Sequence, residues 1–169
     1  MPKLCTNFST CIGSCAHQEL SCQHSGKCYL KQNASFISCE ENKMRYELNN
    51  KERWRIFKFH LDNKIIFSET EKKCDYLLVF KDNKSIVHHV FIELKGQKIA
   101  TALSQLKETI KKSGLSSYRH VCARIVPKTW PNLTASKHDS REVLRWFQEQ
   151  GINFRQKSMV LTEEAQLLP

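Results

Sequence analysis

The sequence predicts an α/β (α+β) domain over residues 41–169, preceded by a small cysteine-rich N-terminal lobe over 1–40, and three observations carry that division. Cys5, Cys11, Cys15, Cys22, Cys28 and Cys39 crowd the start of the chain. From Lys51 onward apolar residues alternate at the period of two that a half-buried strand shows. Beyond Gly96 the period lengthens to that of an amphipathic helix.

The strand texture begins in "RWRIFKFHLD", where Phe57, Phe59 and Leu61 alternate with Lys58 and His60, and Asp62 with Asn63 reads as a turn. A strand "KIIFS", a charged connector "ETEKK", a strand "YLLVF", a turn "KDNKS" and a strand "IVHHVFIEL" follow, which fits an antiparallel meander of about four strands. Ile99, Leu103, Leu106 and Ile110 then mark one face of a helix that Gly114 is placed to end. In "YRHVCARIV", Val121, Ala123 and Ile125 alternate again. "HDSREVLRWFQEQG" reads as a second helix, capped by Asp139 or Ser140 and stopped by Gly151, and "FRQKSMVLT" as a last strand.

With 169 residues the chain can bury a real core. Lysine and arginine number 27 against 17 acids, a formal charge of +10, and the excess is spread along the chain, so a basic folded body is expected and nucleic acid is the partner it favours. No apolar run approaches the roughly 18–20 residues that cross a bilayer, and "MPKLCTNFSTC" lacks the apolar core of a secretory signal. A soluble, cytoplasmic protein without membrane association is expected.

The charge inside "CDYLLVFKDNKSIVHHVFIELKGQ" points to chemistry. Residues two apart on a strand share a face, so Glu93 and Lys95 project together while Ile92 and Leu94 point the other way. If the short "KDNKS" turn pairs the two strands antiparallel, Asp75 comes to lie opposite the Glu93–Lys95 end. Two carboxylates are hard oxygen ligands of the sort Mg²⁺ prefers, and an ion held that way keeps water positions open for attack on a phosphodiester. Lys95 is placed to orient that water and to offset charge on the phosphate. The competing reading is a turn aspartate beside a plain Glu93–Lys95 ion pair.

Asp75 followed by Glu93-Leu94-Lys95, on a hairpin that leads into an amphipathic helix, resembles the PD-(D/E)XK nuclease superfamily, in particular small bacterial members with a "CDY…ELKG" core. The resemblance covers roughly Asn49 to Val126. It implies a restriction-endonuclease-like mixed sheet flanked by helices, a Mg²⁺- or Mn²⁺-dependent hydrolase cutting DNA or RNA, and a setting in bacterial defence or mobile-element biology. By the same resemblance Asp75 and Glu93 are metal ligands, Lys95 assists the water, and Gln105 on the following helix touches the active site. The further acid that many members carry has Glu47, Glu69 and Glu71 as candidates, and Cys74 stands where a proline is usual. Lys98, Arg119 and Arg124 are the expected nucleic-acid contacts, and two cuts in a duplex would call for a homodimer. A non-catalytic nucleic-acid- or partner-binding protein that kept this fold is the rival reading.

Cys11, Cys15, Cys22 and Cys28, with His17 and His24 nearby, offer thiolate and imidazole ligands that suit a structural Zn²⁺, although no C-x2-C pair is present. Some nucleases of the superfamily hold an iron–sulfur cluster on four cysteines, so that alternative stands beside zinc, disulfides and unligated thiols. "CYLKQNASF" is expected to tether the lobe, and Cys74 and Cys122 to be buried small hydrophobes. Trp54 between Arg53 and Arg55, Trp130 near Lys128, and Arg145 beside Trp146 mix cations with aromatic rings as nucleic-acid grooves do; Trp146 and Phe147 read instead as helix packing.

Overall fold

The computed structural model describes residues 29–61, 73–96, 98–115, 117–130 and 138–169. Strands β1 (Tyr29–Gln32), β4 (Ile56–His60), β5 (Tyr76–Lys81), β6 (Val87–Lys95), β7 (Val121–Pro127) and β8 (Asn153–Gln156) form a six-stranded sheet in the order β1-β4-β5-β6-β7-β8. Strands β2 (Phe36–Glu41), β3 (Met44–Asn49) and β9 (Val160–Glu164) form a second sheet in the order β2-β3-β9. Helices α1 (Ile99–Lys112) and α2 (His138–Glu149) complete a mixed α+β arrangement. No helix among the described residues is long and apolar enough to cross a membrane.

In the larger sheet the β1–β4, β4–β5 and β5–β6 pairs are antiparallel, whereas β6–β7 and β7–β8 are parallel. Parallel neighbours need a crossover longer than a hairpin turn. Helix α1 lies in the crossover between β6 and β7, and α2 in that between β7 and β8.

The predicted stripe Ile99, Leu103, Leu106 and Ile110 is buried, joined by Ala102 and Thr109, and Gly114 follows at φ 66°. Gly151, at φ 69°, ends α2 with the paired bonds of a left-handed cap: its N–H donates to the Gln148 carbonyl (3.1 Å) and the Ile152 N–H to the Phe147 carbonyl (2.9 Å). Asp139 and Ser140, read as caps, lie inside α2, which begins at His138; Asp139 there faces the positive end of the helix dipole.

Two cores lie on the two faces of the large sheet. Phe57, Phe59, Leu77, Val79, Phe91, Val121, Ala123 and Ile125 pack toward the helices with Leu103, Leu106 and Phe147. The intervening Ile56, Leu78, Phe80, Val90, Ile92, Cys122 and Val126 pack toward the small sheet with Ile37, Tyr46, Leu48 and Leu161. Strands β5, β6 and β7 are consequently buried on both faces, and His88 and His89, adjacent on β6, are both buried. Trp146 and Phe147 pack α2 against this layer as expected, with Lys107 and Lys111 over the Trp146 ring.

Three expectations about the chain's course change. The segment read as a tether contains β1, which pairs with β4 and forms the edge of the large sheet on that side. The sheets also take in β2, so residues 29–41 belong to the folded body despite the division at 40. The single last strand is two: the chain turns at Met159 (φ 67°), whose N–H donates to the Pro127 carbonyl (2.9 Å) and whose carbonyl accepts the Arg45 N–H (2.8 Å), so that it passes from one sheet to the other. The Asp62–Asn63 turn, the "KIIFS" strand and the cysteines before Tyr29 lie outside the described residues.

His89 sits in the sheet with neither ring nitrogen hydrogen-bonded among the described residues. Burial, and secondarily the neighbouring His88, push its pKa down to about 4 from an ordinary 6.5. Above 6.5 folded and unfolded chains are both neutral at this group; between 6.5 and 4 only the unfolded chain takes the proton, so stability falls with pH in that window at about 1.4 kcal/mol per pH. Urea denaturation at pH 7 and pH 4.5 should show this loss in the wild type and a shallower one in His89→Leu; equal slopes would refute it.

Candidate active site

Tyr76 pairs with Ile92 in the antiparallel β5–β6 ladder, which sets Asp75 opposite Glu93 one step further out. Alternation puts both on the helix side, in line with Leu77 and Phe91. Asp75 is held in place: its Oδ2 accepts the Leu94 N–H (2.6 Å) and its carbonyl accepts the Leu61 N–H (2.8 Å). Lys95 shares the face of Glu93, with Nζ 3.6 Å from Glu93 Oε1. Asp75 is 7% and Glu93 0% exposed, while the Lys95 side chain is 33% exposed, so the lysine forms the solvent side of the group.

Helix α1 fixes the chain that delivers Asp75. Gln105 Nε2 donates to the Lys73 carbonyl (2.8 Å), and one turn later Thr109 Oγ1 accepts the Cys74 N–H (2.8 Å) while donating to the Gln105 carbonyl (2.7 Å). Gln105 therefore positions the backbone ahead of Asp75. Thr109 escaped the sequence reading; a threonine on the apolar stripe four residues after Gln105 was its only signal. Cys74 supplies the N–H that this clamp uses, a donor that a proline at this position would lack. Burial first, then the charges of Glu93 and Asp75, push the Cys74 thiol well above its ordinary range, so it stays protonated beside the carboxylates.

The donors are two carboxylates on adjacent strands, and among the described residues no three His, Cys, Asp or Glu side chains gather as a metal-binding group. That set fits Mg²⁺ or Mn²⁺, which is commonly held by one or two carboxylates with water and substrate phosphate completing the shell. It does not fit a closed, all-protein cage.

The other candidates are dispersed. Lys98, exposed at φ 59°, precedes α1 three residues after Lys95. Arg119 is exposed just before β7, whose first residue is in register with His89, and so lies toward the opposite end of β6 from Glu93. Arg124 is a correction: it is 0% exposed and bonded to Glu163 and to the carbonyls of Ala123 and Asn153, with Nη2 2.9 Å from Asn153 Oδ1. A strand covered on both faces gives Arg124 no route to nucleic acid. Glu47 is also excluded as the further acid, because on β3 it is held by Arg45 (2.6 Å) and Thr162 (2.7 Å). Glu69, Glu71, Cys11, Cys15, Cys22, Cys28, His17 and His24 lie outside the described residues.

The chain matches no protein-family model, no curated protein and no solved structure. The chemistry of the site therefore rests on its own geometry.

Arg124 and Glu163 join the two sheets, with Tyr46 Oη donating to Glu163 (2.9 Å) and Arg155 Nη1 3.2 Å from it. Removing one member strands the other in a dry layer. Arg124→Met should cost about 3 kcal/mol in urea denaturation, and Arg124→Met/Glu163→Leu should recover much of it. A single variant as stable as wild type would show that the pair does not hold the sheets.

Proposed function

We propose that the chain is a metal-dependent nuclease of the PD-(D/E)XK type, hydrolysing phosphodiester bonds of DNA or RNA. The carrying observation is the Asp75–Glu93–Lys95 group: two buried carboxylates from paired strands with a lysine at their solvent side. Glu93 has no exposure and lies beside Lys95, with Nζ 3.6 Å from Oε1, and a metal ion shared with Asp75 would add to the compensation of two buried carboxylates. A mixed sheet whose acid-bearing hairpin leads into an amphipathic helix also supports the restriction-endonuclease-like reading.

In this reading Asp75 and Glu93 hold Mg²⁺ or Mn²⁺. When bound, such an ion lowers the pKa of water and offsets charge growing on phosphate oxygens. Lys95 orients the water and stabilises the phosphoryl oxygens in the transition state. Gln105 and Thr109 keep Asp75 in register with Glu93 through the backbone of Lys73 and Cys74. The formal charge of +10, with Lys98 exposed beyond Lys95, draws the polyanion toward the strand end. A homodimer would supply the two sites that cutting both strands needs.

Metal-stripped protein incubated with single-stranded and duplex DNA and RNA, in EDTA, Mg²⁺ or Mn²⁺, should cleave only with metal. Asp75→Asn and Lys95→Ala, each checked for folding by circular dichroism, should each lose about a hundredfold or more of the rate. No cleavage of any substrate, with nucleic-acid binding retained in both variants, would favour the non-catalytic binding protein instead.

A further inference from the structure

The other end of the β5–β6 hairpin is built with equal care. In its turn Asp82 Oδ1 accepts the N–H groups of Lys84 and Ile86 (2.8 Å each), and Oδ2 lies 3.3 Å from His88 Nε2. Trp54 stacks on Phe80 (centroids 5.8 Å apart) and donates from Nε1 to Asn83 Oδ1 (2.9 Å). Two clefts share Trp54, Asp82 and Asn83. One, of about 450 Å³, is lined by Arg53, Arg55, Lys81 and Ser85; the other, of about 430 Å³, by Ile86, His88, His120, Leu168 and Pro169.

The first cleft carries an excess of cations, Arg53, Arg55 and Lys81 against the Asp82 carboxylate. Arg53, Arg55 and Lys81 have no carboxylate partner among the described residues. Asp82, the acid in the lining, is spent on the turn and on His88. The segment carrying the arginines is rigid: buried Asn50 donates to the carbonyls of Ala34 (2.9 Å) and Trp54 (2.8 Å) and accepts the Trp54 N–H (2.9 Å), and Arg53 is held at φ 53°, a conformation a non-glycine residue adopts at a cost.

The second cleft sets the rings of Trp54, His88 and His120 beside Ile86 and Leu168, with Glu52, Lys84 and Gln166 also in its lining. His88, 3% exposed, stacks on Phe80 (5.0 Å) and meets His120 edge-on (5.5 Å). Its Nε2 lies 3.3 Å from Asp82 Oδ2, and its Nδ1 is buried with no partner among the described residues, as is Nδ1 of His120. These nitrogens are themselves shielded, and the cleft is walled by Trp54, Ile86, His88, His120 and Leu168, the kind of mixed ring and apolar lining that ligand sites use.

We propose that the paired clefts bind a nucleotide, its phosphate on Arg53, Arg55 and Lys81 and its base beside Trp54 in the cleft walled by Ile86, His88 and Leu168. Guanidinium groups match phosphate in forked geometry, and an aromatic wall stacks any base. The volumes suit a ligand of this size. The site is separate from the candidate active site: six residue pairs along the hairpin, about 20 Å, divide them, and Trp54 packs on the core facing the small sheet, whereas Asp75 and Glu93 face the helices. It does not depend on the nuclease reading. The nucleotide is either free or part of a single-stranded chain, and the chemistry that recognises it is the same.

Calorimetric titration of the whole chain in EDTA distinguishes these sources. The ligands are inorganic phosphate, the nucleoside 5′-monophosphates and a short single-stranded oligonucleotide; the proteins are wild type, Asp75→Asn, Arg55→Glu/Lys81→Glu and the milder Arg55→Gln/Lys81→Gln. A monophosphate or the oligonucleotide should bind at one site per chain, with phosphate alone at least about tenfold weaker and the charge reversal at least about tenfold weaker for the nucleotide. Asp75→Asn should bind as wild type. Monophosphate binding identifies a free ligand, and oligonucleotide binding alone identifies a nucleotide within a chain; both uphold the site. No binding at millimolar ligand, binding unchanged in both Arg55/Lys81 variants, phosphate binding as tight as nucleotide, or loss of binding in Asp75→Asn would each overturn it. Because EDTA removes metal, the outcome is independent of whether the chain cleaves nucleic acid.

Discussion

Coverage of β5, β6 and β7 on both faces is the constraint from which the polar chemistry of this fold follows. Helices close one side and the three-stranded sheet the other, so a charged side chain along these strands cannot reach water by turning over. Each polar group must be neutral, paired within the layer, or at a strand end. Arg124 takes the second course with Glu163, and His89 the first. Asp75, Glu93 and Lys95 take the third.

The hairpin thereby has two distinct ends. At its open end the β5 ladder stops at Tyr76, and Asp75 catches the Leu94 N–H with its side chain. At its closed end the Asp82 carboxylate builds the turn and engages His88, leaving the adjacent cations of Arg53, Arg55 and Lys81 uncompensated by it. Burial raises the Asp82 pKa, but the Ile86 N–H, His88 and the Lys84 N–H outweigh it and hold the carboxyl below its ordinary range. A charged turn aspartate is thus built into the protein rather than offered to solvent.

Thr109 and Gln105 tie these strand-end features to the helix layer. Their bonds to the backbone at Lys73 and Cys74 couple the seating of α1 to the placement of Asp75. The i, i+4 spacing that packs Leu106 and Ile110 into the core also places this clamp, because Gln105 and Thr109 lie one turn apart on the same helix.

What the sequence by itself determined is local and periodic. Alternation in "RIFKFHL" fixed which residues of β4 face the helices, the 3.6-residue stripe located α1, Gly114 and Gly151 marked the helix ends, and the short turn between β5 and β6 set Asp75 opposite Glu93. These follow from side-chain direction and backbone sterics over a few residues. The tertiary structure decided what depends on distant partners. Arg124 looks like any basic residue until β9 brings Glu163 against it, 39 residues later. Residues 29–41 read as lobe and tether because their strands acquire meaning only when β4 and β3 are there to pair with them. The terminal segment read as one strand because the sheet switch at Met159 is made by hydrogen bonds to Pro127 and Arg45, neither of them near in sequence. Burial is a property of the whole assembly, and a one-dimensional pattern carries only the side that its own period reveals.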